Sequence, residues 1–279
     1  MPATGLSIGY VLVLWWVSTG LILYLDGLPR WTFRWTILGA TVLLVAGVLG
    51  LVASRDEPTV TGALTAFTSA VLVWGWNEVL FLTGALTGSY RGGCPEGIRP
   101  GRRFRLAASA ILHHEIGLAA SGLAVIALTW GGDNTVGAWT FAVLWIMRLS
   151  AKLNIFLGVP NVGAEFLPAH LAHLASFFRQ APMNPLFPAS IAFGLGGLAL
   201  LVAGAVAAEG ASFERIAATL VATLLGLAVV EHLFMVLPIR SADLWRWGFA
   251  SHAARPIQPP QAGVPGLTAT PKDTTRGVP

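Results

Sequence analysis

Several stretches of this chain are too long and too apolar to be anything but membrane-crossing segments. Residues 186–208 contain no charged side chain at all, and neither do 5–25 or 35–53. In hydrocarbon every backbone N–H and C=O must be satisfied within the protein, so only helices and closed barrels can span. A spanning helix needs about 20 apolar residues and a barrel strand only about 9–11, so runs of this length are helical. Seven such spans can be marked, at 5–25, 35–53, 61–86, 104–130, 136–157, 186–208 and 213–237. The expected fold is all-α: a polytopic integral membrane bundle of seven transmembrane helices over residues 1–253.

Composition narrows the function. The chain is 55% hydrophobic and 11% charged, where a soluble domain carries about 25% charged residues. Its net charge of +4 is therefore an orientation signal and not a nucleic-acid footprint; the expected surroundings are a lipid bilayer. A single cysteine, Cys94, excludes an intrachain disulfide and a thiolate metal site. The first run lacks a basic leader and an Ala-x-Ala site, so it reads as a retained helix.

Lysine and arginine give the direction. With the N-terminus outside, the cytoplasmic loops receive Arg30, Arg34, Arg91, Arg99, Arg102, Arg103, Arg105 and Arg179. The tail adds Arg240, Arg246, Arg255, Lys272 and Arg276, while the outer loops hold only Arg55 and Arg215. The positive-inside rule then predicts N-out, C-in. Trp31, Trp35, Trp130, Trp139, Trp245 and Trp247 fall near span ends, where indoles anchor at the interface. Between spans five and six, residues 169–179 are too short to cross and read as an amphipathic helix on the cytoplasmic face, carrying His170 and His173. Residues 254–279, rich in Pro, Gln and Thr, read as a disordered cytoplasmic tail, and His252, just before it, reads as solvated.

Ionisable residues interrupt the spans: Glu78; His113, His114 and Glu115; Arg148 and Lys152; Glu231 and His232. Each is costly in hydrocarbon unless paired or wetted. With 1.5 Å of rise per residue and the orientation above, all of them lie within about 10 Å of one another in depth, in the cytoplasmic half. One shared polar site follows, opening toward the cytoplasm.

Three readings of that site stay open. Glu78, Glu115 and Glu231 against Arg148 and Lys152 can form a purely structural ion-pair network. Glu78, His113, His114, Glu115, His170, His173, Glu231 and His232 can instead supply ligands to a metal, a di-iron pair among them, as in bundle oxidases. Against this, no Glu-x-x-His spacing occurs, and Arg148 and Lys152 would repel a dication. Finally, His114 and His173 can each ligate a tetrapyrrole such as bacteriochlorophyll, since Ala110 and Ala169 stand one turn before them. Arg148, Lys152 and Asn154 would then take the polar groups of the bound molecule.

A family resemblance adds to this reading. Ser18-Thr-Gly20, Tyr24-Leu-Asp-Gly-Leu-Pro29, Trp74-Gly-Trp-Asn-Glu78, His113-His-Glu115 and Met147-Arg-Leu-Ser-Ala-Lys-Leu-Asn154 resemble the bacterial photosynthetic complex assembly proteins of the PuhE type. So do Phe156-Leu-Gly-Val-Pro-Asn161, Glu165-Phe-Leu-Pro168, Ser176-Phe-Phe-Arg179, Pro182-Met-Asn184 and Glu231-His232. The resemblance implies a multi-pass protein of the bacterial inner, intracytoplasmic membrane. It implies work on assembling reaction-centre and light-harvesting subunits, or on their bacteriochlorophyll supply. It transfers no catalytic residue. A membrane-embedded metal oxidase or hydroxylase of pigment biosynthesis, and a scaffold that docks reaction-centre subunits, are the competing expectations.

Overall fold

The computed structural model describes residues 2–210 and 212–253. It contains seven helices long and apolar enough to cross a membrane: α1 (Pro2–Asp26), α2 (Phe33–Ser54), α3 (Val60–Leu82), α4 (Pro100–Thr129), α5 (Val136–Leu157), α6 (Leu186–Ala207) and α7 (Phe213–Phe234). Among the described residues there is no strand. The expected seven-span bundle is the observed fold. The tail read as disordered, 254–279, lies outside the described residues.

Helices α3, α5 and α7 form the middle of the bundle. α2 packs along α3, and α6 along α7. Their outer faces, with Val42, Leu49, Leu200 and Val206, are exposed as a lipid-facing surface requires. The end of the bundle that carries residues 55–59, 130–135 and 208–210 is closed. There Ala63, Ala66 and Phe67 of α3 meet Val136 of α5 and Ile216, Leu220 and Leu224 of α7. Small residues on α3 let these helices approach, and dispersion contacts then hold them. Asn134, fully buried, ties the corner: its side chain donates to the Ser54 carbonyl (3.0 Å) and accepts from the Val136 N–H (3.1 Å). Toward the other end larger and charged side chains replace the alanines, and the helices part.

At this second end the chain twice turns back into the bundle. α3 stops at Leu82, short of the expected 86. Gly84, at φ +78°, makes the turn that an L side chain resists. Thr87 and Gly88 then lie buried against α4. The His114 N–H donates to the Thr87 carbonyl (2.9 Å), and the Tyr90 N–H to the Ser109 carbonyl (3.3 Å). Ala110 is ten residues into α4, so this non-helical backbone sits about 15 Å below the helix start. α4 itself spans 30 residues, about 45 Å against a hydrocarbon core of about 30 Å. Its first turns, with Arg102 and Arg105, therefore extend beyond the apolar layer.

Gly88 is the tightest point of this contact. A Cβ there would stand 2.6 Å from the Ala110 carbonyl oxygen and closer still to α4 backbone. Neither wall is a flexible side chain. Gly88→Ala should cost about 1–3 kcal/mol, the usual scale of overpacking, seen as a lowered thermal midpoint of the purified protein.

The second return follows α7. Residues 241–253 run along α1: Trp16 Nε1 donates to the Leu244 carbonyl (2.8 Å), Trp245 Nε1 to the Trp16 carbonyl (3.0 Å), and Ser251 Oγ to the Tyr24 carbonyl (2.7 Å). Trp245 is 3% exposed and packs edge-on against Trp15 (5.0 Å), so it seals the bundle and does not anchor at an interface. Trp31, Trp35, Trp130 and Trp139 are exposed as expected. His252 is not solvated: its Nε2 lies 2.8 Å from an oxygen of the buried Asp26.

The short element between α5 and α6 is a 3-10 helix, Ala169–Phe177. Leu171, Leu174 and Phe177, spaced by three, form its buried face. They pack on Phe81, Leu82 and Ala110, so it plugs the end of the bundle.

Candidate functional site

Where the helices part, a cavity of about 820 Å³ remains. Its walls come from α1, α3, α4, α5 and α7, and not from α2 or α6. The loop 160–167, the 3-10 plug and Arg240–Trp245 form its mouth. Most of the lining is apolar and aromatic. Across the middle runs a belt of ionisable side chains from four different helices: Glu78, Glu115, Arg148, Lys152 and Glu231.

Helix phase decides which side chains enter. On α4 the buried residues are Ala110, His114, Leu118, Gly122, Val125 and Thr129, spaced by three and four. His114 lies on that stripe and is fully buried, whereas its neighbour His113 is exposed. The His114 ring stacks on Phe81 with centroids 4.5 Å apart. Among the described residues neither of its nitrogens has a hydrogen-bond partner, and Nε2 stands 3.7 Å from Glu78 Oε1. On the other side of the same carboxylate, the Arg148 guanidinium stands 3.7 Å from Oε2. Both separations exceed direct hydrogen bonds, and the one to Arg148 is a charge contact. Glu115 and Lys152 make the close pair, at 2.6 Å. Glu231 accepts a hydrogen bond from Trp15 Nε1 at 2.7 Å and is otherwise open to the cavity.

Residues 1–255 match the protein family of unknown function DUF3623. The chain belongs to this family. It is 41% identical over 256 residues to an "Uncharacterized 30.4 kDa protein in puhA 5'region" of Rhodobacter capsulatus, an alignment covering 90% of this chain and 93% of that one. No solved structure matches it.

Of the other candidate residues of this DUF3623 chain, His232 touches the cavity wall but is tied into the bundle, and Asn154, His170 and His173 lie outside the lining. His232 is 2% exposed, and both its ring nitrogens are engaged, Nε2 with Ser150 Oγ (3.0 Å) and Nδ1 with the Ala228 carbonyl (2.8 Å). Asn154, fully buried, donates to the Ser150 carbonyl (3.0 Å) and Ser190 Oγ (3.0 Å) and accepts from Asn184 (3.1 Å). Together these residues form a polar clasp joining α5, α6 and α7. His170 packs on Gly84 and on the Phe33 ring (5.8 Å). The plug gives the cavity Leu174 and Phe177, but neither His170 nor His173. Among the described residues, no three His, Cys, Asp or Glu side chains are grouped to hold a metal.

Sequence reasoning missed two residues at this end. Trp15, which holds Glu231, sits in mid-span where no interface explains an indole; that position was the available signal. Arg103 was read as an orientation charge. It is half-buried and donates to the Phe156 and Phe177 carbonyls (3.2 and 2.6 Å), with its guanidinium over the Phe156 ring (4.1 Å). It fastens α4 to α5 and to the plug.

Proposed function

We propose that this chain is an integral inner-membrane factor for assembling photosynthetic reaction-centre and light-harvesting complexes, or for supplying them with bacteriochlorophyll. Its working part in this reading is the cavity, which holds an apolar molecule in transit. The observation that carries the proposal is the combination of size and lining. A volume of about 820 Å³ falls in the range of small-molecule sites, and such sites are mostly apolar with a few placed polar groups. A helix bundle meant only to hold itself together closes such space, because empty volume forfeits packing. The photosynthetic assignment is supported by the Rhodobacter capsulatus relative, whose name places it in the 5' region of puhA, a photosynthesis gene. The N-out, C-in orientation belongs to the proposal. It is supported by the arginines at the cavity-mouth end, and it turns the mouth toward the cytoplasm.

The test is genetic and spectroscopic. Deleting the gene in a phototrophic host should reduce the absorption bands of the assembled complexes in isolated membranes, and the intact gene in trans should restore them. The protein purified from that host should carry an extractable apolar molecule. Unchanged bands in the deletion strain would sink the assembly role.

A scaffold with a structural ion-pair network is the second reading, favoured by the 2.6 Å Lys152–Glu115 contact. It predicts the same loss of complexes from the deletion strain, but no co-purifying molecule.

A further inference from the structure

We infer that the cavity selects an apolar molecule carrying one electropositive centre, and that the Glu231 carboxylate is its anchor; the inference rests on reading the cavity as a holding site. It comes from charge pairing in the walls. The Glu78 carboxylate faces Arg148, and Glu115 is bonded to Lys152. At the mouth, Glu165 and Arg240 add one charge of each sign. Among the described residues no cation lies within salt-bridge distance of Glu231: Arg148 acts on it only from farther off, and its hydrogen bond comes from the uncharged indole of Trp15. A carboxylate inside a membrane bundle is costly unless something answers its charge. Each of the other two carboxylates of the belt has its cation. This one has an indole on one oxygen and the cavity on the other.

The shape of the space fits the same ligand. Beyond the charged belt the lining is apolar, and the packed residues Val11, Phe67 and Leu224 are its floor. An apolar body whose polar centre rests at Glu231 meets that lining. An anionic head is disfavoured there. It would stand among Glu231 and Glu78, and the nearby Arg148 already faces Glu78. Two chemistries supply an electropositive centre on an apolar body: an ammonium group, and a hard metal ion held in a macrocycle, which takes oxygen ligands as magnesium does.

The test is charge selectivity of the purified full-length protein in nanodiscs, read by quenching of tryptophan fluorescence, since Trp15, Trp74 and Trp245 line the cavity. The probes are dodecylamine, a magnesium porphyrin, and dodecanoate as the anionic control. Dodecylamine or the magnesium porphyrin should bind more tightly than dodecanoate. Glu231→Gln should weaken that binding about tenfold or more, the scale of one lost charge-assisted contact. Binding of the amine alone assigns an ammonium centre, and binding of the porphyrin alone assigns a metal centre. Dodecanoate binding as tightly as either, no binding of any probe, or an unchanged Glu231→Gln variant overturns the inference. The wild-type comparison needs no variant to fold. A cavity blind to charge in a protein whose deletion still removes the complexes would overturn this inference and leave the assembly reading standing.

Discussion

Lys152→Ala should leave little folded protein in the membrane. The Lys152 ammonium lies 2.6 Å from Glu115 in the wall of the cavity, and both side chains are about four-fifths enclosed. Removing one partner strands the other charge, at a cost of about 3–5 kcal/mol. That is a large part of a stability of about 5–15 kcal/mol. The companion variant Lys152→Met with Glu115→Gln removes both charges at once. It should restore most of the folded yield, because replacing a buried pair by neutral groups of similar volume is often close to neutral. The measurement is detergent-extracted monodisperse protein and its thermal midpoint. The double variant also separates two readings of the belt. If it folds and supports complex accumulation in the host, the pair is structural and the ligand is held by Glu231 and its surroundings. If it folds but does not support accumulation, the pair belongs to the site.

Asn184→Ala should be as damaging and should have no such rescue. Asn184 Nδ2 donates to the Asn154 carbonyl, the Asn154 side-chain oxygen and the Gly158 carbonyl, at 2.9–3.2 Å. Its Oδ1 accepts from the Leu186 and Phe187 N–H groups at the start of α6 (2.9 and 3.2 Å). One side chain thus caps α6 and satisfies the end of α5. Losing a cap costs about 0.5–2 kcal/mol, and each buried acceptor left unpaired about 1–3 kcal/mol. The loss should exceed 3 kcal/mol in sum, read as a fall in thermal midpoint. Asn184→Asp retains the cap acceptor but sets a buried carboxylate oxygen against three acceptor oxygens, so it should not recover the loss.

The spans were legible because hydrocarbon imposes one strong condition on sequence. All seven were marked from apolar length, and α5 and α6 ended within a residue of their observed limits. The convergence of Glu78, Glu115, Arg148 and Glu231 was legible too, since depth along a helix is fixed by residue count. Rotation about the axis was harder. His113 and His114 share a depth, and only the stripe through Ala110, Leu118 and Gly122 tells which one turns inward. Non-helical contacts were not legible at all. Thr83 to Tyr90 look like the end of a span followed by a loop, and no local pattern says that their backbone will bond to α4. Arg103 and Trp245 looked like interface residues because composition near a span end does not distinguish a side chain at the lipid boundary from one folded under the bundle.

The bond between the Thr87 carbonyl and the His114 N–H has a consequence for how the protein is made. A spanning helix can ordinarily leave the translocation channel alone, its own backbone satisfied. Thr87 and Gly88 cannot take their buried place that way, because the partner of the Thr87 carbonyl is the His114 N–H, on a helix made later. The returning segment therefore folds into the bundle only once α4 is in place.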